Sequence, residues 1–222
     1  MTVDEAVALQ EKLAPQVVRQ TPEGFSPRVA VGLDVAYATD SDQLAAAAVA
    51  VDMSTLDSVE EAVVLGTTDF PYVPGLFAFR ELPSLLRAIE QLTVTPDVLV
   101  CDGQGLAHPR RFGLACHAGV VTGLPSIGVG KQALGQYDMP GDDRGDWTPL
   151  VDDGEVVGRA LRTQRRVKPV FVSIGHRMDL DTATDLVLRL SPRYRQPETT
   201  RAADQAGRRA LAGGVGVQDV AD

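Results

Sequence analysis

The stretch Val29-Ala30-Val31-Gly32-Leu33-Asp34-Val35-Ala36 alternates with a period of two. A strand with that period puts Val29, Val31, Leu33 and Val35 on one face and Ala30, Gly32, Asp34 and Ala36 on the other. The first face reads as core. The second is a lane of small residues with a single carboxylate in it, leaving room for something to approach. A carboxylate in mid-strand is disfavoured by propensity and costly if buried alone. A buried ion pair or an exposed sheet face would also account for it, so Asp34 is a candidate rather than an assignment on this ground alone.

Outward from there, Leu44–Asp52 and Val59–Thr67 repeat the strand pattern, separated from their predecessors by short polar turns such as Thr39-Asp40-Ser41-Asp42. Three strands in a row with short connections predict an antiparallel meander. The chain then changes habit. Leu76, Phe79, Leu82, Leu85, Leu86 and Ile89 recur at helical spacing after Pro74-Gly75 and predict a helix to about Leu92. Val98–Cys101 reads as a short buried strand, followed by a helix over 109–122 and a strand over 126–129. Residues 136–149 hold two prolines, two glycines and four aspartates and read as an exposed loop. Residues 150–163 read as a hairpin turning at Asp153-Gly154, then come a strand over 170–174 and a helix over 182–190 with Asp181 as its N-cap. Ahead of all this, Val3, Ala6, Val7, Leu13, Ala14 and Val17 predict an amphipathic helix that Pro15 should end or kink near Ala14. The sum is one α/β domain over residues 1–209 around a mixed sheet, with a tail from 210 to 222 expected to fray.

Composition narrows the class of molecule. The chain has 222 residues, 44% hydrophobic and 23% charged, which suits a folded domain and not a disordered or collagen-like one. Cys101 and Cys116 are too few for a disulfide framework, and a reducing compartment such as the cytoplasm is the simpler expectation. No secretory leader is evident at Met1-Thr2-Val3-Asp4-Glu5. The longest aliphatic run, Leu44–Val51, has 8 residues, against the roughly 20 of a membrane helix, so no membrane association is expected.

The net charge is −9, and it is uneven: −10 over residues 1–100 and +1 over the remainder. An acidic surplus is expected where several carboxylates exist to hold a metal. Arg159, Arg162, Arg165, Arg166 and Lys168 fall within ten residues free of acids. They read either as a solvated strand edge or as a patch facing phosphates.

Further candidates sit where elements end. Asp102 follows the apolar strand and precedes Gly103-Gln104-Gly105, a place where open α/β sheets build sites. Glu81 lies early in the helix after Gly75, and His176 follows the strand over 170–174 across Gly175. Each alone is ordinary. Together, two aspartates, a glutamate and a histidine make a plausible set for Mg²⁺, a hard cation that takes one or two carboxylates and leaves positions for phosphate and water. Zinc fits less well, since paired-cysteine and two-histidine spacings are absent.

Several motifs, in order along residues 4–209, resemble the endonuclease V family. They are Val31-Gly32-Leu33-Asp34-Val35-Ala36-Tyr37, Pro71-Tyr72-Val73-Pro74-Gly75 with Phe79-Arg80-Glu81, Asp102 through Gly105 to His108-Pro109-Arg110-Arg111, Ile127-Gly128-Val129-Gly130-Lys131, and Gly175-His176. The resemblance implies a ribonuclease H-like fold flanked by helices. It also implies a Mg²⁺-dependent repair endonuclease, with Mn²⁺ able to substitute. The implied reaction hydrolyses the second phosphodiester 3′ of deoxyinosine in DNA and leaves 3′-hydroxyl and 5′-phosphate ends.

By position, Asp34 and Asp102 would be the metal ligands. Glu81 and His176 would complete the catalytic group, with Lys131 beside the scissile phosphate. Tyr72, held out by two prolines, would wedge into the gap left by the extruded base. Gly75, Gly103, Gly105, His108 and Leu134 would surround that base. Gly130 stands where the family commonly has alanine, and Thr199-Thr200 where a proline is usual. The expected partner is deoxyinosine-containing DNA, acted on by a monomer. The alternatives are an enzyme for inosine in RNA, a broader structure-selective nuclease, and a non-catalytic nucleic-acid-binding module.

Overall fold

A computed structural model describes residues 1–39, 41–68 and 70–213. The meander is there: β1 (Val29–Tyr37) pairs antiparallel with β2 (Gln43–Asp52), and β2 with β3 (Ser58–Thr67). β4 (Val98–Cys101) and β5 (Ser126–Gly130) then join in parallel beside β1. β6 (Trp147–Asp152) and β7 (Glu155–Leu161) form the hairpin, and β8 (Val170–His176) lies antiparallel between β5 and β7. The result is one eight-stranded mixed sheet in the order β3-β2-β1-β4-β5-β8-β7-β6. The arrangement is the ribonuclease H-like one expected from the sequence.

Helices cover both faces. α1 (Val3–Leu13) opens with a reciprocal Thr2–Glu5 capping box and passes into a single 3-10 turn at Ala14–Gln16, where Pro15 denies the next backbone donor. α2 (Phe77–Glu90) and α3 (Leu114–Thr122) bury Leu82, Leu85, Leu114 and Ala118 against Val31, Leu33 and Val35, the large side chains of β1. α4 (Leu180–Leu190) packs Leu186, Val187 and Leu190 on the opposite face, over Val100, Ile127 and Val172. Its N-cap is Asp179, which accepts from the Thr182 amide at 2.8 Å, rather than Asp181, which pairs with Arg159. α3 begins at Leu114 instead of Pro109, because residues 108–113 turn tightly, with Arg111 at a φ of 54°.

The largest departure from expectation is α5 (Glu198–Gly213). It lies along the small-residue lane of β1 and β2, with Ala203 and Ala206 packed on Ala47, Val49 and Val51. A Cβ on Gly32 would run into the Thr199 carbonyl, so glycine there is what lets the helix come down onto the sheet. The lane read as room for a ligand is therefore mostly a helix seat. Residues 210–213, expected to fray, are the last turn of this helix; 214–222 lie outside the described residues. Among the described residues no helix is long and apolar enough to cross a membrane.

Candidate active site

Asp34 sits in the second half of β1, between Gly32, which meets Thr199 of α5, and Ala36, which meets Gly207 of the same helix. Asp102 follows the last residue of the neighbouring parallel strand β4, and Lys131 the last residue of β5. Three parallel strand ends thus deliver two acids and a base to one edge of the sheet. The Lys131 ammonium donates to Asp102 Oδ2. α5 adds Asp204 and Arg208, whose Nε donates to Asp204 Oδ1 at 2.8 Å. Asp34, Tyr37, Lys131, Asp204 and Arg208 line a common cleft of about 710 Å³. From the other face, α2 brings Glu81, which is 2% exposed and accepts from the Tyr37 hydroxyl at 3.2 Å.

These acids crowd one another. Burial, and then the adjacent Asp102 carboxylate, push Asp34 up to about 8, with Lys131 opposing and Asp204 adding to the rise. Burial, followed by the charge of Asp34, lifts Glu81 well above the usual carboxylate range, and the Tyr37 hydroxyl only partly offsets this. Burial works against the Lys131 ammonium, but Asp102, Asp34 and Asp204 together hold it above the ordinary lysine value. Like charges in a poorly solvated place raise the cost of ionising each carboxyl, and a cation lowers it. The donors are oxygens throughout, which suits a hard cation and not zinc. Among the described residues no three acidic, histidine or cysteine side chains close around a single point. A site of two carboxylates completed by water and phosphate matches that description, and a full protein cage does not.

A second cavity, of about 380 Å³, opens beside Asp102. Its walls include Pro74, Gly75, Phe77, Gly103, His108 and Leu134. That volume is in the range of small-ligand cavities. Burial, and lesser contributions from Arg110 and Arg111, bring His108 down to about 4, so its ring is neutral at pH 7. Tyr72 is 71% exposed on the loop between β3 and α2 and lines an adjoining cleft with Tyr37 and Arg80. Arg80 Nη1 donates to the Phe70 carbonyl at 2.6 Å and so ties the base of that loop to α2.

Not every expected residue arrives. His176 lies opposite Ser126, at the start of β5, whereas Asp102 and Lys131 lie beyond the other ends of β4 and β5. Four residues of strand, about 13 Å at 3.3 Å each, separate the two ends of β5. The His176 Nδ1 accepts from the Val18 amide at 3.2 Å, which ties the segment after α1 to the sheet. β8 runs antiparallel to β5, and that direction carries its last residue away from the carboxylates. Gly105 is also outside the cavity: it packs on the Ile174 carbonyl, and its amide donates to Ser173 Oγ at 2.8 Å. Gly130 makes room for the Gln104 carboxamide, which donates to the Gln132 carbonyl at 2.9 Å.

The basic cluster is largely absorbed by the protein itself. Arg162 is buried and donates to the carbonyls of Pro140, Gly141 and Val167. Arg165 and Arg166 pair with Asp143 and Asp142, and Arg159 stacks on Trp147 while pairing with Asp181. Arg159 therefore ties β7 to α4 and Arg162 holds the aspartate-rich loop, which ends at Asp146 just before β6 begins, while Arg165 and Arg166 stay exposed in pairs with that loop's aspartates. Asp204 and Arg208 were missed because α5 was missed. The signal for it is the run Ala202, Ala203, Ala206, Gly207 and Ala210, small residues at helical spacing that match the small lane of β1.

Comparison with known proteins gives a consistent result. Residues 11–205 match the family model described as Endonuclease V. The chain is 57% identical to an endonuclease V of Nocardia farcinica over 97% of its own length and 95% of that protein's. The crystal structure of the endonuclease V of Streptomyces avermitilis superposes with a TM-score of 0.91 at 51% identity, covering 97% of this chain and 95% of that one. An endonuclease V of Ciona intestinalis, solved with a 24mer DNA containing an inosine followed by a ribo-adenosine, shares the fold. Its TM-score is 0.84 at 24% identity, with 95% of this chain and 98% of that one covered.

Proposed function

The chain belongs to the endonuclease V family, and we propose that it is a Mg²⁺-dependent DNA repair endonuclease acting at deoxyinosine. In this reading it nicks the second phosphodiester on the 3′ side of the lesion and leaves 3′-hydroxyl and 5′-phosphate ends. One observation carries the proposal. Crowded carboxyls, with Asp34 and Glu81 raised by burial and by neighbouring negative charge, stand near a cavity: Asp102 pairs with Lys131 of the cleft, and the next residue, Gly103, is in the cavity wall.

Asp34 and Asp102 would hold the cation, Mg²⁺ or Mn²⁺ in its place, with Glu81 and Asp204 as the neighbouring carboxyls. When bound, that cation supplies Lewis-acid polarisation of the phosphodiester and a more acidic water. Lys131 then exchanges its Asp102 partner for the scissile phosphate, where its charge stabilises the transition state. Arg208 neutralises Asp204 and keeps the cleft passable for a polyanion. Tyr72 fills the gap in the stack, and Gly75, Gly103, His108 and Leu134 receive the extruded base. With His108 neutral, that receiving wall adds no imidazolium charge at pH 7. His176 has no part in this scheme.

The test is a duplex carrying one deoxyinosine, incubated with Mg²⁺ and mapped to the nucleotide. The expected product is a single nick one nucleotide beyond the lesion's 3′ neighbour bond, lost in Asp34→Ala and Asp102→Ala. A cut elsewhere, or retained activity in both variants, overturns the reading. The Ciona intestinalis protein was solved on a strand with a ribo-adenosine after the inosine. Inosine in RNA is therefore the second substrate to run alongside.

A further inference from the structure

Helix α1 lies outside the sheet, yet Gln10 is 1% exposed and every group of its carboxamide is engaged. Its Nε2 donates to the carbonyls of Gly75 at 3.0 Å and Phe112 at 3.1 Å, and its Oε1 accepts from Arg110 Nε at 2.6 Å. Arg110 Nη2 in turn donates to the same Gly75 carbonyl at 2.7 Å. The guanidinium thus spends its bonds on a carboxamide and a carbonyl, not on a carboxylate. His108 joins them. Its Nδ1 accepts from the Arg110 amide at 3.1 Å, so the proton of the neutral ring is on Nε2, which faces the Gly75 carbonyl at 3.0 Å.

Three side chains, from α1 and from the turn before α3, therefore converge on one backbone oxygen. What that oxygen controls is the turn it belongs to. Leu76 N donates to the Val73 carbonyl at 2.9 Å, with Pro74 and Gly75 at the two central positions and Gly75 at a φ of 80°. Those are the marks of a type II turn. The turn joins Tyr72 to α2, and its Pro74 and Gly75 form the cavity wall.

We propose that Gln10 and Arg110 are positioning residues for lesion recognition: by clamping the Gly75 carbonyl they fix the wall against which the extruded base is read. The proposal rests on the deoxyinosine reading given above. Neither residue touches the reacting phosphate. Their loss therefore acts on discrimination and leaves the affinity for ordinary DNA, which is set by the phosphate backbone, where it was.

The experiment measures affinities for a deoxyinosine duplex and for its undamaged counterpart, with Ca²⁺ in place of Mg²⁺ and the strands checked to be intact. Gln10→Met keeps the length and removes the hydrogen bonds; Gln10→Glu keeps the acceptor for Arg110 and sets an oxygen against two carbonyls. In both, the ratio of the two affinities is expected to fall about tenfold, with undamaged-duplex binding unchanged; tenfold is the loss of about one net hydrogen bond. Arg110→Lys, which cannot span both acceptors, carries the same test if the Gln10 variants fail to fold. A parent that prefers deoxyinosine and variants that keep the full preference overturn the proposal alone, whatever their melting temperatures. A parent with no preference overturns the functional reading along with it.

Discussion

The acid cleft, whose Lys131 pairs with Asp102, and the cavity, whose wall includes the next residue Gly103, are built on opposite principles. In the cleft, carboxylates outnumber cations, burial raises Asp34 and Glu81, and the single ammonium of Lys131 leans on Asp102. In the cavity wall, one carbonyl has three donors and the carboxamide of Gln10 has none of its groups to spare. The first region is short of positive charge and becomes comfortable when something joins it. The second is complete already and holds its shape. A nuclease that must find a rare base needs both: a place whose chemistry waits for a cation and a substrate, and a gauge that does not yield.

If that contrast is right, removing a carboxylate destroys activity without harming the fold. Asp102→Ala is expected to reduce nicking of the deoxyinosine duplex by about 10³-fold, roughly 4 kcal/mol of transition-state stabilisation. Thermal melting in EDTA should show an unchanged or higher midpoint. A large drop in the midpoint would mean that the pair with Lys131 supports the fold and that the cleft is not under-satisfied.

Disturbing the gauge costs less activity and more stability. A Cβ on Gly75 forces a side chain into left-handed backbone and lies 2.9 Å from Arg110 Nη2. At about 1–3 kcal/mol for that conformation, Gly75→Ala should lower kcat/KM by about ten- to a hundredfold. Steady-state kinetics and melting on the same preparation check both halves.

Acidity sharpens the same comparison. The Asp34 carboxyl is raised from 3.8 to about 8. Below pH 3.8 it is protonated in both states and costs nothing; between 4 and 8 only the unfolded chain ionises freely, so this group draws stability down as pH rises. Asp34→Asn removes the loss. In EDTA at pH 8 the variant should melt above the parent, by a gap that closes near pH 4 and narrows with Mg²⁺. Equal midpoints across that range would show that Asp34 ionises without penalty.

The smallest effects belong to residues placed outside both regions. Arg165→Ala and Arg166→Ala, each paired with an aspartate on the surface, should leave nicking within about twofold, since exposed pairs contribute about 0–1 kcal/mol. His176→Ala should alter kcat by less than about threefold, because its loss removes one neutral hydrogen bond far from the carboxylates. A hundredfold loss from His176→Ala with normal melting would restore it to the catalytic group.

Much of this was legible in the sequence because it depends on neighbours along the chain. Alternation in residues 29–36 gave β1 and its lone acid, and the apolar run before Asp102 gave the central strand. Pro71 through Gly75 announced a stiff turn. The failures concern partners far apart in sequence. Small side chains on β1 looked like space until α5, 160 residues later, filled it. His176 ends a strand, but nothing local states which way that strand runs in the sheet. The arginines of 159–168 looked unpaired because Asp142, Asp143 and Asp181 come from other segments. Asp204 was invisible for the same reason as its helix: alanines, arginines and a glycine carry little apolar signal, and their meaning lies in the surface they meet.

The order of synthesis gives α5 one more significance. Among the described elements it leaves the ribosome last, and it brings Asp204 and Arg208 together with the side chains that seal the β1–β2 face. A nascent chain that has already folded its meander still presents a bare alanine floor and an unfinished cleft. On the proposed reading, a prematurely terminated product lacking this helix would be an incompetent fragment, not a loose nuclease.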